Sequence, residues 1–226
     1  GDHFSSTMHW GRRWHFHVIS EAKKISADLV IKAVRRHSRI AEFLQTPEDW
    51  HLLRGASCPV WLVNDTTARI DRVVAAFSTL EETEDHRHLG ERVLQKANEL
   101  ATALGAELHV VSVVPDWLQT QAIVGPVPGM PGQFSAVMAD IGEQALDRAE
   151  EIIHETLEKL AIDADVTEVR SGSVDTELAD AVGDTSALVI GSAAARNLSA
   201  KVAGNLFGNT SEKVIHHVRG DVLVVH

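Results

Sequence analysis

Leu188-Val189-Ile190-Gly191, then Phe207-Gly208-Asn209-Thr210-Ser211-Glu212-Lys213-Val214-Ile215, then Val222-Leu223-Val224-Val225, is the stretch whose reading decides the fold. An apolar run closes on glycine, a polar opening leads into an amphipathic stretch, and a second apolar run follows. That succession is strand, loop, helix and strand, the unit of a parallel sheet. The same order stands earlier in the chain. Asp28-Leu29-Val30-Ile31 leads through a basic and apolar middle to Leu52-Leu53 and then to Pro59-Val60-Trp61-Leu62-Val63. Two copies of one supersecondary unit are implied.

Reading outward from the second copy, Arg69 to the end alternates strands and helices. Arg72 to Ser78 is an apolar run without polar alternation, as expected of a strand covered on both faces. Leu89, Val93, Ala97, Leu100 and Leu104 recur every three or four residues and predict a helix that Gly105 ends. Leu108 to Val114 reads as a strand stopped by Pro115, and Ile141 to Leu160 as a helix. Asp165 to Arg170 alternates and predicts an edge strand. A helix over Val174 to Val182, a strand over Ala187 to Ile190, a helix over Thr210 to Val218 and a strand over Asp221 to Val225 complete five strands.

Composition narrows the function classes. The 226 residues are 44% hydrophobic and 23% charged, the balance of a globular chain, and the net charge of −11 argues against a nucleic-acid footprint. No apolar run approaches the roughly 18 residues of a membrane span. Cys58 is the single cysteine, which excludes an internal disulfide and points to a reducing, cytoplasmic setting.

The strand, glycine loop, helix and strand from Ala187 to Val225, with Arg170-Ser171-Gly172-Ser173 ahead of it, resemble the closing part of a universal stress protein domain. Thr46-Pro47-Glu48-Asp49-Trp50-His51-Leu52-Leu53-Arg54 and Cys58 to Val63 resemble the first domain of the tandem, E-type members of that family. Met8-His9-Trp10 and the helix Trp14 to Ile25 resemble that domain's third strand and third helix. The resemblance implies an α/β, Rossmann-like parallel sheet of five strands ordered 3-2-1-4-5, with the fifth at an edge. It divides the chain into a partial domain, residues 1–65, comprising a C-terminal half only, and a complete domain, residues 69–226, joined by a polar linker from residue 64.

Nucleotide-binding members of the family carry a Gly-x-x-Gly loop and a later Gly-Ser or Gly-Thr, through which backbone N–H groups and a helix N-terminus meet phosphates. Here the corresponding positions are Gly191, Ala194, Gly204, Gly208, Asn209 and Thr210, with Val113 and Ser78 at the ends of two strands. Ala194 replaces a glycine, the loop is longer than the family's, and Ser78 stands where binders place an Asp. The site is a degenerate nucleotide site in which ATP is disfavoured, and the bland reading of Gly208-Asn209-Thr210 is a helix cap. A second candidate is the stretch from Asp116 to Val137, read as a long loop whose Trp117, Ile123, Met130 and Phe134 line an apolar ligand cavity or cover the domain's own core.

No catalytic constellation accompanies these residues. His15 with His17, His86 with His88, and His216 with His217 have spacings that diverge on a helix, so they are read as surface or rim histidines and no metal is expected. The expectation is a non-enzymatic stress-response protein that binds a small ligand or a protein, the alternative being an ATP-binding switch with slow or no hydrolysis. The fifth strands, Val60 to Val63 and Val222 to Val225, are expected to pair antiparallel and to drive self-association.

Overall fold

The computed structural model describes residues 4–11, 13–34, 47–64, 69–80, 83–114, 131–192 and 209–226, with the backbone alone at 47, 48, 131–141, 209 and 210. The first segment forms helix α1 (Trp14–Lys24), strand β1 (Val30–Val34), α2 (Pro47–Gly55) and β2 (Val60–Asn64). Then come β3 (Arg72–Ala76), α3 (Glu84–Leu104), β4 (Glu107–Val114), α4 (Pro131–Leu160) and β5 (Val166–Ser171). The chain closes with α5 (Val174–Val182), β6 (Ser186–Gly191), α6 (Asn209–His217) and β7 (Asp221–Val225).

Local chemistry sets the ends of α3. The Thr83 hydroxyl accepts from the His86 N–H, Glu84 and Asp85 occupy the positive first turn, and Gly105 closes the helix in a left-handed conformation at φ 63°. The helix on Ile141 to Leu160 begins earlier than its apolar stripe predicts, at Pro131. Proline is tolerated in a first turn, because its missing N–H has no helical partner there. Phe134 and Val137 are thus on the helix backbone and not in a loop, while Trp117, Ile123 and Met130 lie outside the described residues. Met8 to Trp10 carry no strand.

The strands among the described residues join one seven-stranded sheet in the order β1-β2-β7-β6-β3-β4-β5. Every neighbouring pair is parallel except β2 and β7, which meet antiparallel with Val60 opposite Val224, Trp61 opposite Leu223 and Leu62 opposite Val222. The register repeats itself when the two strands are exchanged about the Trp61–Leu223 pair. The antiparallel pairing expected of the two fifth strands is thus present within one chain, and it corrects two further expectations. β7 is flanked by β6 and β2 and so is no edge, and neither it nor β2 has a free side through which copies of the chain could associate. Asn64 likewise belongs to the sheet and not to a linker. Its backbone N–H donates to Asp221 Oδ1 at 2.9 Å and its side-chain amide donates to the Arg219 carbonyl at 2.8 Å.

Two cores flank the sheet. One packs α1, α2, α5 and α6 against it through Leu53, Leu62, Leu188 and Ile215. The other packs α3 and α4 through Val73, Leu94, Ile153 and Val189. β6 and β7 are covered on both faces, whereas β1 alternates, with Val30 and Val34 buried and Ile31 and Ala33 exposed. Across the sheet, β5 is the other edge and shows Thr167 and Glu168 to solvent.

Candidate functional site

The strands β3 and β6 lie side by side and parallel, yet β3 leads into α3 on one face and β6 precedes α6 on the other. Such a switch point opens a crevice beyond the carboxyl ends of the strands. Its rim carries hydroxyls. Ser78 is exposed just past β3, and the Thr79 Oγ1 and Ser112 Oγ lie 3.1 Å apart, joining the ends of β3 and β4. Ser192, next to Gly191, is 1% exposed, and its hydroxyl has no hydrogen-bond partner among the described residues. Ser211 in the first turn of α6 donates to the Gly191 carbonyl at 3.1 Å, tying the helix N-terminus to the end of β6.

Of the residues proposed from the sequence, Ser78 and Gly191 stand at the ends of these adjacent strands. Val113 is half-buried on β4 and packs with Ala76 toward the core on the α5 and α6 side. Asn209 and Thr210 open α6. Ala194, Gly204 and Gly208 lie outside the described residues. Sequence reasoning passed over Thr79, Ser112, Ser192 and Ser211. The available signal was a hydroxyl at or just beyond the carboxyl end of three neighbouring strands and in the helix turn facing them.

Gly191 has a packing reason of its own. A Cβ there would stand 2.9 Å from Leu89 Cγ and 3.3 Å from Val93 Cγ2, so the close passage of α3 requires the glycine. No ligand needs to be invoked for it. The first turn of α6 is also spoken for in part, since Glu212 is paired with Arg54 of α2. A second contact, Trp50 against His216 with ring centroids 5.4 Å apart, joins the same two helices.

Elsewhere, a cleft of about 370 Å³ opens between α3 and α4 and is floored by Phe77, Ser78 and Thr79. Its cations are partly engaged, Lys159 with Glu91 at 2.6 Å and Arg148 with Glu151 at 2.8 Å. The histidine expectation needs one correction. His15 is buried, 4% exposed, and stacks on His51 with centroids 5.0 Å apart, because α1 and α2 pack against each other there. No cluster of three metal-ligating side chains occurs among the described residues. Burial, with the Asp28 carboxylate second, pushes the Cys58 thiol up, so it stays protonated and unreactive near neutral pH. No helix among the described residues is long and apolar enough to cross a membrane.

The model of the universal stress protein family matches residues 85–226. This chain belongs to that family. Its sequence is 30% identical over 221 residues to universal stress protein E of Salmonella typhi, covering 96% of this chain and 66% of the relative. Universal stress protein E of Photorhabdus laumondii is 28% identical over 227 residues, covering 96% of this chain and 67% of its own length. The chain thus spans about two thirds of the length of these relatives. A functionally unknown protein of Pseudomonas aeruginosa PAO1 shares the fold, with a TM-score of 0.66 at 23% identity over 93% of this chain and 67% of that one. A universal stress protein of Archaeoglobus fulgidus gives a TM-score of 0.59 at 18% identity, over 93% of this chain and 66% of its own. Membership in the family supports a role in the stress response.

Proposed function

We propose that this universal stress protein works by binding a small ligand or protein in the cytoplasm and not by catalysis, with the crevice between β3 and β6 as its ligand site. The observation that carries the reading is the hydroxyl rim. Thr79 is paired with Ser112, Ser211 is tied to a carbonyl, and Ser192 is buried beside Gly191. None of these hydroxyls has a base hydrogen-bonded to it among the described residues, and a serine without a base is a weak nucleophile. Hydroxyls on a rigid strand rim instead orient a polar ligand.

The domain reading accompanies it. Residues 69–226 act as a complete family domain, its strands in the order 3-2-1-4-5, and residues 1–65 as a partial first domain of the tandem E type. Trp117, Ile123, Met130 and Phe134 remain proposed as the apolar side of the ligand site. The ATP-switch alternative is supported by the unpartnered Ser192 hydroxyl beside a helix N-terminus, and it is weakened by Ser78, Ala194 and the packing role of Gly191. Titration calorimetry with Mg-ATP is expected to give no affinity tighter than about 0.1 mM, near −5.5 kcal/mol. Native mass spectrometry of gently isolated protein is expected to show a copurifying small molecule that Ser192→Val displaces. Micromolar ATP binding overturns the first expectation, and a ligand indifferent to Ser192→Val overturns the site.

A further inference from the structure

The charge of the chain is gathered at one end of the sheet. Residues 140–184 hold 14 acids against three basic residues, Arg148, Lys159 and Arg170, a balance of −11 that equals the net charge of all 226 residues. The rest of the chain is neutral in sum. That run supplies most of α4, all of β5 and all of α5, and the two helices lie on opposite faces of the sheet. β5 is the outermost strand on that side, so the charge surrounds a strand edge.

The outer side of β5 is open among the described residues. The Asp165 N–H donates to the Leu108 carbonyl at 2.9 Å, so the alternation of a strand turns the Val166 and Glu168 N–H groups away from β4. Beside them a groove of about 510 Å³ runs between β5 and α4. Ile153 and Val169 make its apolar floor, and Glu150, Glu151 and Glu168 carry acids along it. Glu151 is paired with Arg148 at 2.8 Å and Glu168 with Arg170 at 3.0 Å. Both pairs are open to water and hold their partners weakly.

We propose that the β5 edge and this groove form a docking surface for an extended, lysine- or arginine-rich segment of another protein, added to the sheet as a strand. Main-chain bonds to Val166 and Glu168 supply the pairing, and the acids select the charge. A long basic side chain suits the groove twice over. Its methylene stem covers Ile153 and Val169 while its cationic head reaches the carboxylates. Acids on an edge turn away neutral and acidic strands, so the residues that guard this edge also give it its specificity. A second copy is a poor occupant, since it brings the same net charge of −11 and, on its own β5, the same acids. The surface lies beyond β4 from the crevice between β3 and β6, and the inference is independent of the ligand reading.

Amide hydrogen exchange of the intact chain tests it, with a short synthetic peptide of alternating lysine and valine as the probe. The peptide is expected to slow exchange at Val166 and Glu168 at least about tenfold and to leave Thr167, which is turned to β4, as it was. Raising the salt from about 50 to about 300 mM is expected to weaken the binding at least about fivefold. Glu150→Lys with Glu151→Lys changes two exposed side chains, so the fold is expected to stay and the slowing to be lost. The same peptide with its backbone N-methylated keeps its charge but cannot pair as a strand, and is expected to give no slowing, as is a peptide of alternating glutamate and valine. Equal slowing by either control, or by the lysine peptide on the double variant, overturns the proposal. Unchanged exchange at Val166 and Glu168 with the lysine peptide present overturns it as well. Protection that grows with protein concentration alone makes a second copy the occupant and has the same result.

Discussion

The segments α1-β1-α2-β2 and α5-β6-α6-β7 follow one plan and end in different surroundings. Val189 on β6 is 0% exposed, while Ile31, its counterpart on β1, is 61% exposed. Gly191 must lack a Cβ because Leu89 passes 2.9 Å from where one would stand, while its counterpart, Ala33, carries a Cβ into open solvent. The strand sequence decides what a strand can bury. The neighbours decide what it does bury and which positions must be small.

The seam between the copies gives the largest expected effect. Leu62 is fully buried beside β7, and Leu62→Ala is expected to cost about 2–5 kcal/mol. Because the sheet is continuous across the seam, the loss is expected as one shifted urea transition, seen alike by tryptophan fluorescence and by circular dichroism. Two separate transitions break the picture of two copies sharing one cooperative sheet.

Matched truncations sharpen it next. Val189→Ala is expected to lose about 2 kcal/mol through transfer and cavity terms, and Ile31→Ala about 0.5 kcal/mol or less. Equal losses in chemical denaturation mean that the bare face of β1 is not bare. Gly191→Ala follows, at about 1–3 kcal/mol from overpacking, and Leu89→Ala in the same chain is expected to recover part of it. Additive losses in that double-mutant cycle remove the packing account of the glycine.

The smallest effect lies at the helix starts. The first turn of α5 holds Asp175 and Glu177, whereas α1 has no acid there. The Ser173 hydroxyl chiefly holds the Asp175 carboxyl below its ordinary value, with nearby His217 and Lys213 contributing less. A depressed folded value means that the stabilisation is complete above the unfolded carboxylate pKa and is lost as pH falls through the lower folded one. Ser173→Ala is therefore expected to reduce stability at neutral pH and to flatten its fall below about pH 4. The exposure of the pair limits this to a few tenths of a kcal/mol. Unchanged acid unfolding after Ser173→Ala removes the effect.

Local patterns in the sequence carried most of the element order. The apolar runs at Val73, Leu108 and Leu188 and the three-four spacing from Leu89 to Leu104 were legible because period and propensity agreed. Pro131 and Gly132 hid the start of α4, although Phe134, Val137 and Ile141 continue its helical spacing. The antiparallel pairing of Val60 to Val63 with Val222 to Val225 was legible from the repeat, and it makes β7, read as the edge of its own domain, an interior strand. The site was only half legible. Gly191 stood out as a loop glycine, but its contact with Leu89 joins two elements far apart in the chain, and the rim formed by Thr79, Ser112 and Ser192 exists only once three strands lie side by side.

The antiparallel seam also sets an order of events during synthesis. Asn64 and Asp221 are 157 residues apart, so at common translation rates β2 leaves the ribosome roughly 10–30 s before its partner strand exists. Through that interval the side of β2 that β7 covers stands unpaired. A chain that lacks β7 leaves the first segment without the strand against which it packs.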